Sequence, residues 1–137
     1  RLPSEAEWEI AARAGASTAF ANGKIDEGDS DECETDRGLA RLGWYCKNAE
    51  VDYSGCVNLH ADEGARCAGP QPVATLAPND WGLFDVSGNV AEWTEEGVLR
   101  GGSFRSYPKD CRSAARELPS VDVRRDDVGV RLVRSAP

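Results

Sequence analysis

The chain has 137 residues, with 16 basic and 24 acidic side chains and a formal net charge of -8 at pH 7. This length suits one domain with a modest core, and 14 glycines with 7 prolines favour a loop-rich architecture over a helical bundle. The acidic balance argues against nucleic acid and anionic membrane surfaces as partners, and no apolar run approaches the ~20 residues of a membrane helix.

The first predicted element is a helix over residues 5–14. Ser4 and Glu7 have the spacing of a capping box, in which each side chain accepts a hydrogen bond from the other residue's amide. The apolar stripe expected to face the core consists of Trp8, Ala11 and Ala12. We expect Trp8 to dock this helix on a sheet.

The next segments are irregular. Seven of the eleven residues from 26 to 36 are acidic, which indicates a solvated loop. The short apolar run 42–46 is expected to form one wall of the core. Residues 52–69 are predicted to be a long loop that needs a covalent staple.

Five cysteines could supply that staple. Pairing nearest neighbours gives Cys33–Cys46 and Cys56–Cys67 and leaves Cys111 as a thiol, although spacing alone does not decide between pairings. Zinc is the competing use, but the chain has no C-x-x-C and a single histidine. Disulfides favour an extracytoplasmic location, secreted or periplasmic, whereas five free thiols would allow a cytoplasmic one.

Residues 79–104 concentrate large apolar side chains and contain a turn at 87–89. The residues expected in the core here are Trp81, Leu83, Phe84, Val86, Val90 and Trp93. Asp85 and Glu92 are carboxylates in this apolar setting, where each needs a cation or several donors. Calcium is one candidate, because it prefers carboxylate and carbonyl oxygens. The alternative is that Glu92 pairs with an arginine of the C-terminal segment.

Three strands are predicted after this segment, over residues 98–104, 111–116 and 129–133. The first enters a glycine pair that permits close backbone approach. The arginines of the other two strands, Arg112, Arg116 and Arg131, alternate with small or apolar residues. We expect them to reach inward to acidic partners such as Glu92.

Several motifs recur together along the chain. They are R-L-P-S-E-A-E-W-E-I-A-A-R-A-G, W-G-L-F-D-V-S-G-N-V-A-E-W, L-R-G-G-S-F, C-R-S-A-A-R and G-V-R-L. In this order they resemble the formylglycine-generating-enzyme family, also called sulfatase-modifying-factor domains. The resemblance implies one C-type-lectin-like α+β domain over residues 1–137, loop-rich with short antiparallel strands. Family domains usually carry strands and a helix before R-L-P, so we expect that part to be missing or supplied by a companion chain.

The same resemblance implies a structural calcium site. Its ligands would be the Asp85 and Glu92 side chains and the Gly88 and Val90 carbonyls. In catalytic members another calcium site uses an asparagine and a downstream acid, for which Asn48 with Asp62 or Glu63 is a poorer match.

Catalytic family members oxidise a substrate cysteine with monovalent copper, held by two cysteines that lie five residues apart after G-G-S. Those positions fall on Ser106 and Cys111 here. A serine hydroxyl is a hard, weak ligand and does not replace a thiolate. We therefore predict a non-catalytic domain, with copper-dependent formylglycine generation through Cys111 as the alternative.

Non-catalytic relatives, including variable proteins of diversity-generating retroelements, display the segment that corresponds to residues 104–128. The candidate ligand-binding residues are Arg105, Ser106, Tyr107, Lys109, Asp110 and Arg124. Residues 97–137 carry 9 basic and 5 acidic side chains, which favours an acidic partner. The predicted function is an accessory or ligand-binding module for an unknown protein or peptide, and a solvated loop without a ligand is the alternative.

Overall fold

The computed structural model describes residues 1–26, 32–59, 66–120 and 124–134. In chain order these contain α1 (Glu5–Arg13), α2 (Leu39–Leu42), β1 (Val57–Leu59), β2 (Arg66–Ala68), β3 (Ala91–Trp93), β4 (Leu99–Arg100), a 3-10 turn (Pro108–Cys111), β5 (Arg116–Glu117) and β6 (Val128–Gly129). Turns and irregular segments make up the rest of the described chain, as the glycine and proline content predicted. The centre of the acidic loop and residues 60–65 and 121–123 lie outside the described residues.

The strands form two small sheets. β1 and β2 pair as an antiparallel hairpin, and the second sheet has the order β5-β4-β3-β6. Its β3–β4 and β4–β5 pairs are antiparallel, whereas β3 and β6 are parallel. The strand predicted over residues 111–116 is wrong in its bounds, because Pro108 begins a 3-10 turn that ends at Cys111. The strand predicted over 129–133 is also displaced, since β6 consists of Val128 and Gly129.

Helix α1 forms as its capping signal predicts. The Glu7 amide donates to Ser4 Oγ (3.2 Å), and the Ser4 amide donates to Glu7 Oε2 (2.8 Å). A hydrogen bond from Arg1, helped by the Ser4 amide, lowers the pKa of Glu7 to about 2. Trp8 and Ala12 are buried, so the predicted apolar face is the one that packs. Within the described ranges, none of the helices has the length and hydrophobicity that a membrane span requires.

The C-terminal end of the acidic loop is buried rather than solvated. Asp36 is 1% exposed, and its carboxylate accepts from the amides of Leu39 (2.7 Å) and Asp26 (2.7 Å). The Asp36 amide donates to the Tyr45 hydroxyl at 2.9 Å. The loop composition predicted that this carboxylate would be solvated, but these hydrogen bonds satisfy it inside the protein. The bond from the Leu39 amide also fixes the start of α2.

The apolar segment 79–104 contributes less core than predicted. Val86 is buried, Trp81 is 57% exposed, and the other predicted residues are partly buried. Asn79 takes the inward position, because its Nδ2 donates to the Ala11 carbonyl at the end of α1 (2.8 Å). Its Oδ1 accepts from the Trp81 and Leu83 amides (3.1 and 3.0 Å), and the turn so formed directs the Trp81 ring outward.

Two disulfides link Cys33 to Cys46 and Cys56 to Cys67, which confirms the nearest-neighbour pairing. Cys111 is free and fully buried. It packs in the apolar cluster that also contains Phe20, Leu39, Leu42 and Tyr45. Burial raises the pKa of the Cys111 thiol well above its ordinary value, so the thiolate is suppressed at neutral pH.

These assignments predict a three-step alkylation pattern. Iodoacetamide at pH 8 should leave the native protein unmodified, because the one free thiol is buried and protonated. In urea without reductant one cysteine should react, and after reduction all five should. Intact mass spectrometry counts the adducts. Five adducts before reduction, or rapid labelling of the native protein, would contradict the disulfides or the burial of Cys111.

Candidate functional site

Two chain segments, residues 43–44 and 87–89, cross in direct backbone contact. A Cβ added to Gly43 would lie 1.4 Å from the Ser87 carbonyl oxygen, and one added to Gly88 would lie 2.2 Å from the Trp44 carbonyl oxygen. The Asn89 amide donates to the Trp44 carbonyl at 2.7 Å across this crossing. Glycine is required at both positions because any side chain would separate the segments.

The crossing positions the G-G-S motif. The Gly88 amide donates to the Gly101 carbonyl (2.8 Å), and the Phe104 amide donates to the Asn89 carbonyl (2.8 Å). Gly101 and Gly102 have positive φ values of 88° and 67°, so the chain turns sharply after β4. Residues 103–110 therefore leave the sheet as a series of turns, with side chains free to face a cleft.

Glu92 is the centre of a buried polar network. It is 5% exposed, and its carboxylate accepts from Trp8 Nε1 (2.7 Å) and from Arg131 Nη2 (2.7 Å). Arg131 Nε lies 3.0 and 3.1 Å from the two Glu92 oxygens. The expected pairing of Glu92 with a C-terminal arginine is thus confirmed. The other two arginines expected to reach inward do not reach Glu92: Arg116 is half-exposed and pairs with Glu5, and Arg112 Nε donates to the Lys109 carbonyl.

Asp85 is less completely satisfied. Its Oδ2 accepts from the Ala74 amide at 2.7 Å, but its Oδ1 is buried without a hydrogen-bond partner. Asp85 and Val90 line a cavity of about 390 Å³ together with Glu92 and Arg131. Gly88, the fourth predicted ligand, lies in the adjoining turn with φ 86°. The structure therefore brings the two predicted carboxylates to one cavity.

Of the other predicted metal residues, the structure describes Asn48 only. Asn48 Oδ1 accepts from the Tyr45 amide (2.8 Å) and its Nδ2 donates to the Gly43 carbonyl (3.1 Å), so its side chain fixes a turn. Asp62 and Glu63 lie outside the described residues. Within the described ranges, no three His, Cys, Asp or Glu side chains cluster closely enough to hold a metal.

The two positions of the copper alternative differ in their surroundings. Ser106 Oγ accepts from the Ser103 amide at 2.9 Å and lines an open cleft. Cys111 is buried in the apolar cluster instead, where its Sγ would be 2.8 Å from a Cβ added to Gly102. The other four cysteines form disulfides, so no second thiol accompanies Cys111.

The cleft beside Ser106 has a volume of about 750 Å³. Its lining residues are Ser103, Arg105, Ser106, Tyr107, Asp110, Arg124, Arg125, Asp126 and Asp127. Five of the six predicted ligand-binding residues are among them, and Lys109 is not. The remaining four lining residues, Ser103, Arg125, Asp126 and Asp127, were not among the six candidates, although the acidic pair directly before the last strand was a visible signal.

The floor of the cleft is a fixed network around Asp127. This residue is 1% exposed and accepts from Arg125 Nε (2.8 Å), Arg125 Nη2 (2.9 Å) and Ser103 Oγ (2.8 Å). Burial alone would raise the pKa of Asp127, but the hydrogen bonds from Arg125 and Ser103 outweigh it and lower the pKa. Arg125 also pairs with Glu117. Asp127 is therefore ionised at neutral pH and serves to orient its neighbours.

The cleft is balanced in charge rather than basic. It contains three arginines and three aspartates, and Arg105 pairs with Asp126 at its rim. The excess of arginine after residue 97 is used elsewhere, because Arg100 and Arg131 pair with buried or partly buried glutamates. The expected preference for an acidic partner therefore has no basis in the charge of the cleft itself.

The family described as the sulfatase-modifying factor enzyme 1-like domain, or FGE-sulfatase, matches residues 1–136. The chain belongs to this family, and its fold is of the C-type-lectin-like kind that the motifs implied. The chain is 37% identical over 160 residues to the formylglycine-generating enzyme of Thermomonospora curvata. This alignment covers 96% of the chain and 48% of that enzyme.

Two further relatives agree with this placement. The formylglycine-generating enzyme of Mycobacterium tuberculosis is 28% identical over 166 residues, covering 97% of this chain and 50% of that enzyme. Among solved structures, Treponema denticola variable protein 1 superposes with a TM-score of 0.67 and 29% identity, covering 95% of this chain and 45% of that one. The chain spans about half the length of the curated relatives it matches.

Proposed function

We propose that this domain is a non-catalytic binding module that recognises a protein or peptide through the cleft between residues 103–110 and 124–127. The observation that carries the proposal is the different surroundings of the two copper positions. Ser106 faces the cleft with a hydroxyl, while Cys111 is buried in the apolar core. The residues present do not fit copper, because Cu(I) is held by paired thiolates and burial keeps the one free thiol protonated.

The lining of the cleft supports a binding role. Its volume lies within the ~300–1,000 Å³ typical of ligand sites, and it presents arginine and tyrosine, which dominate binding energy at interfaces. The ion pairs of Arg105 and Arg125 hold the walls in place before a ligand arrives, which lowers the entropic cost of binding. Similarity to a variable protein adds support for a display role of this segment.

Selection from a random peptide display library tests the proposal. Peptides enriched on the wild-type domain should lose binding to Arg124→Ala and Tyr107→Ala variants. Arg41→Ala is the matched control, because Arg41 is an exposed arginine that does not line the cleft. Peptides that bind both cleft variants as tightly as the wild-type domain, or repeated failure to enrich any peptide, would count against the proposal.

We also propose that calcium binds beside Asp85 as a structural ion, with Glu92 and the Gly88 and Val90 carbonyls as further ligands. The unpartnered buried Oδ1 of Asp85 fits a cation, since such an oxygen is costly without one. The Arg131 pairing already balances the charge of Glu92, so Glu92 would contribute a lone pair rather than an unpaired charge. When bound, calcium would neutralise Asp85 and tie the turn to β3.

Thermal unfolding tests the proposed calcium site. Adding calcium in large excess over its Kd should raise Tm, since saturation at about 100 times Kd stabilises by about 2.7 kcal/mol. Asp85→Ala should abolish the rise, whereas Asp80→Ala, an exposed acid outside the cavity, should keep it. A wild-type Tm that is identical in calcium and in chelator would refute the site.

An extracytoplasmic location is part of the same proposal. The two disulfides support it, because such bonds persist in oxidising compartments. Recovering the protein from its native source with both disulfides intact, after thiols are blocked at lysis, tests this location.

A further inference from the structure

Of the six charged side chains that line the cleft, Asp110 and Arg124 take no part in its ion pairs within the described residues. Arg105 forms an ion pair with Asp126, and Arg125 forms ion pairs with Asp127 and Glu117. By contrast, no described residue forms a hydrogen bond or ion pair with the side chain of Asp110 or with that of Arg124.

A ligand can therefore pair with these two groups without displacing a side-chain partner from the described part of the chain. Asp110 is exposed at the end of the segment 103–110, and Arg124 is exposed on the opposite segment 124–127. The lining of the cleft thus includes a carboxylate and a guanidinium that have no side-chain partner among the described residues. A ligand that satisfies both must carry a positive and a negative group.

Asp110 lines more than one cavity. A second cavity of about 320 Å³ lies along Gly101, Gly102 and the β5 strand Arg116–Glu117. Ser106 and Asp110 line both cavities, so Asp110 lies at their junction. The Asp110 carboxylate thus borders two cavities, and a peptide segment bound in the cleft has space on either side of it.

We infer that the ligand of the cleft is a peptide segment that carries one basic and one acidic side chain, the base pairing with Asp110 and the acid with Arg124. This inference rests on the proposed binding function and adds its charge pattern. A doubly acidic peptide would have to face Asp110, and a doubly basic one would have to face Arg124. Such like-charge contacts are how an interface excludes wrong partners.

Four capped peptides that differ only in charge test the pattern. Each has a basic and an acidic position separated by one to three glycines, occupied by Lys and Glu, Lys and Gln, Gln and Glu, or Glu and Glu. Titration is followed by the amide NMR shifts of the domain. The Lys–Glu peptide should bind tightest, and neutralising either charge should weaken binding about two- to fivefold, as for exposed ion pairs.

Charge reversal provides the decisive comparison. Asp110→Lys should switch the preference from the Lys–Glu peptide to the Glu–Glu peptide, because two cations would then face the ligand. Asp80→Lys, the same change at an exposed acid that lines neither cavity, should leave the preference unchanged. The amide spectrum of each variant checks that the fold is kept.

The outcomes separate this inference from the broader proposal. Equal binding of all four peptides, or an unchanged preference in Asp110→Lys, overturns the charge pattern and leaves a peptide-binding cleft. No binding of any of the four probes also overturns it, while the library selection independently decides whether the cleft binds peptides at all.

Discussion

Replacing Arg100 with alanine is expected to lower the free energy of unfolding by about 3–5 kcal/mol, the range for breaking a buried ion pair from one side. Arg100 lies on β4 and is 2% exposed. Its Nη1 donates to Glu5 (2.7 Å), and its Nη2 donates to Glu9 (2.6 Å) and to the Ser113 carbonyl (2.6 Å). Its guanidinium also lies 5.2 Å from the centre of the Trp8 ring.

The size of this effect follows from what the substitution leaves behind. Glu5 and Glu9 would face the space that the guanidinium had filled, with two negative charges and a lost connection between α1 and the sheet. Arg100→Met should recover part of the loss, because it restores apolar volume around Trp8 although it leaves the charges unpaired.

Urea unfolding measures this prediction, and Arg116→Ala is its matched control. Arg116 also pairs with Glu5, at 2.8 Å, but its side chain is 53% exposed. Exposed pairs contribute about 0–1 kcal/mol, so the control should remain close to wild type. Equal losses in the two variants would mean that burial does not set the strength of these pairs.

Replacing Gly43 with alanine is the second large effect, with an expected loss of about 3 kcal/mol at the upper end of the range for overpacking. The backbone of Gly43 is extended, with φ −156°, so alanine has no conformational penalty there. The cost is steric, because the new Cβ would lie 1.4 Å from the Ser87 carbonyl oxygen. Two backbones would have to separate, and the Asn89–Trp44 hydrogen bond would be strained with them.

Gly97→Ala isolates the conformational cost for comparison. Gly97 has φ 75°, and a Cβ there would meet nothing within 4 Å. Its loss should be about 1–2 kcal/mol, the penalty for a left-handed alanine. Both variants are measured by urea unfolding with the same slope m. A Gly43→Ala protein as stable as Gly97→Ala would show that the crossing tolerates expansion.

Local signals predicted the local features of this fold. The capping box of α1 involves residues three apart, and both disulfides join cysteines fewer than fifteen residues apart. The sheet was harder because its strands are two or three residues long and are defined by partners elsewhere. β3 and β6, for example, pair across more than thirty residues.

Buried charge was the main feature that the sequence concealed. Arg100 and Asp127 are among the most buried side chains, yet residue type alone places an arginine or aspartate at the surface. Their partners include Glu5, 95 residues from Arg100, and Ser103, 24 residues from Asp127. Spacing cannot indicate such pairs.

The candidate site divides in the same way. Residues 105–107 and Asp110 are near neighbours in sequence. Their position after G-G-S predicted that they belong to one exposed binding surface. Residues 124–127 are distant in sequence, and the β3–β6 pairing together with the Arg105–Asp126 ion pair brings them to the same cleft. Asp85 and Glu92 line one cavity, and the calcium site predicted there stays a prediction. The sequence also predicted an arginine partner for Glu92, but the choice of Arg131 over Arg112 and Arg116 depends on tertiary structure.

The most direct test of the account is an oxidation assay on the intact protein. The protein is incubated with Cu(I), oxygen and a peptide that bears a C-x-P-x-R motif, and any aldehyde formed is trapped with a hydrazide and detected by mass. The formylglycine-generating enzyme of Thermomonospora curvata is the positive control. A buried, protonated Cys111 without a second thiol predicts that the peptide cysteine remains unchanged. Aldehyde formed by the wild-type protein and lost in Cys111→Ala would contradict that account.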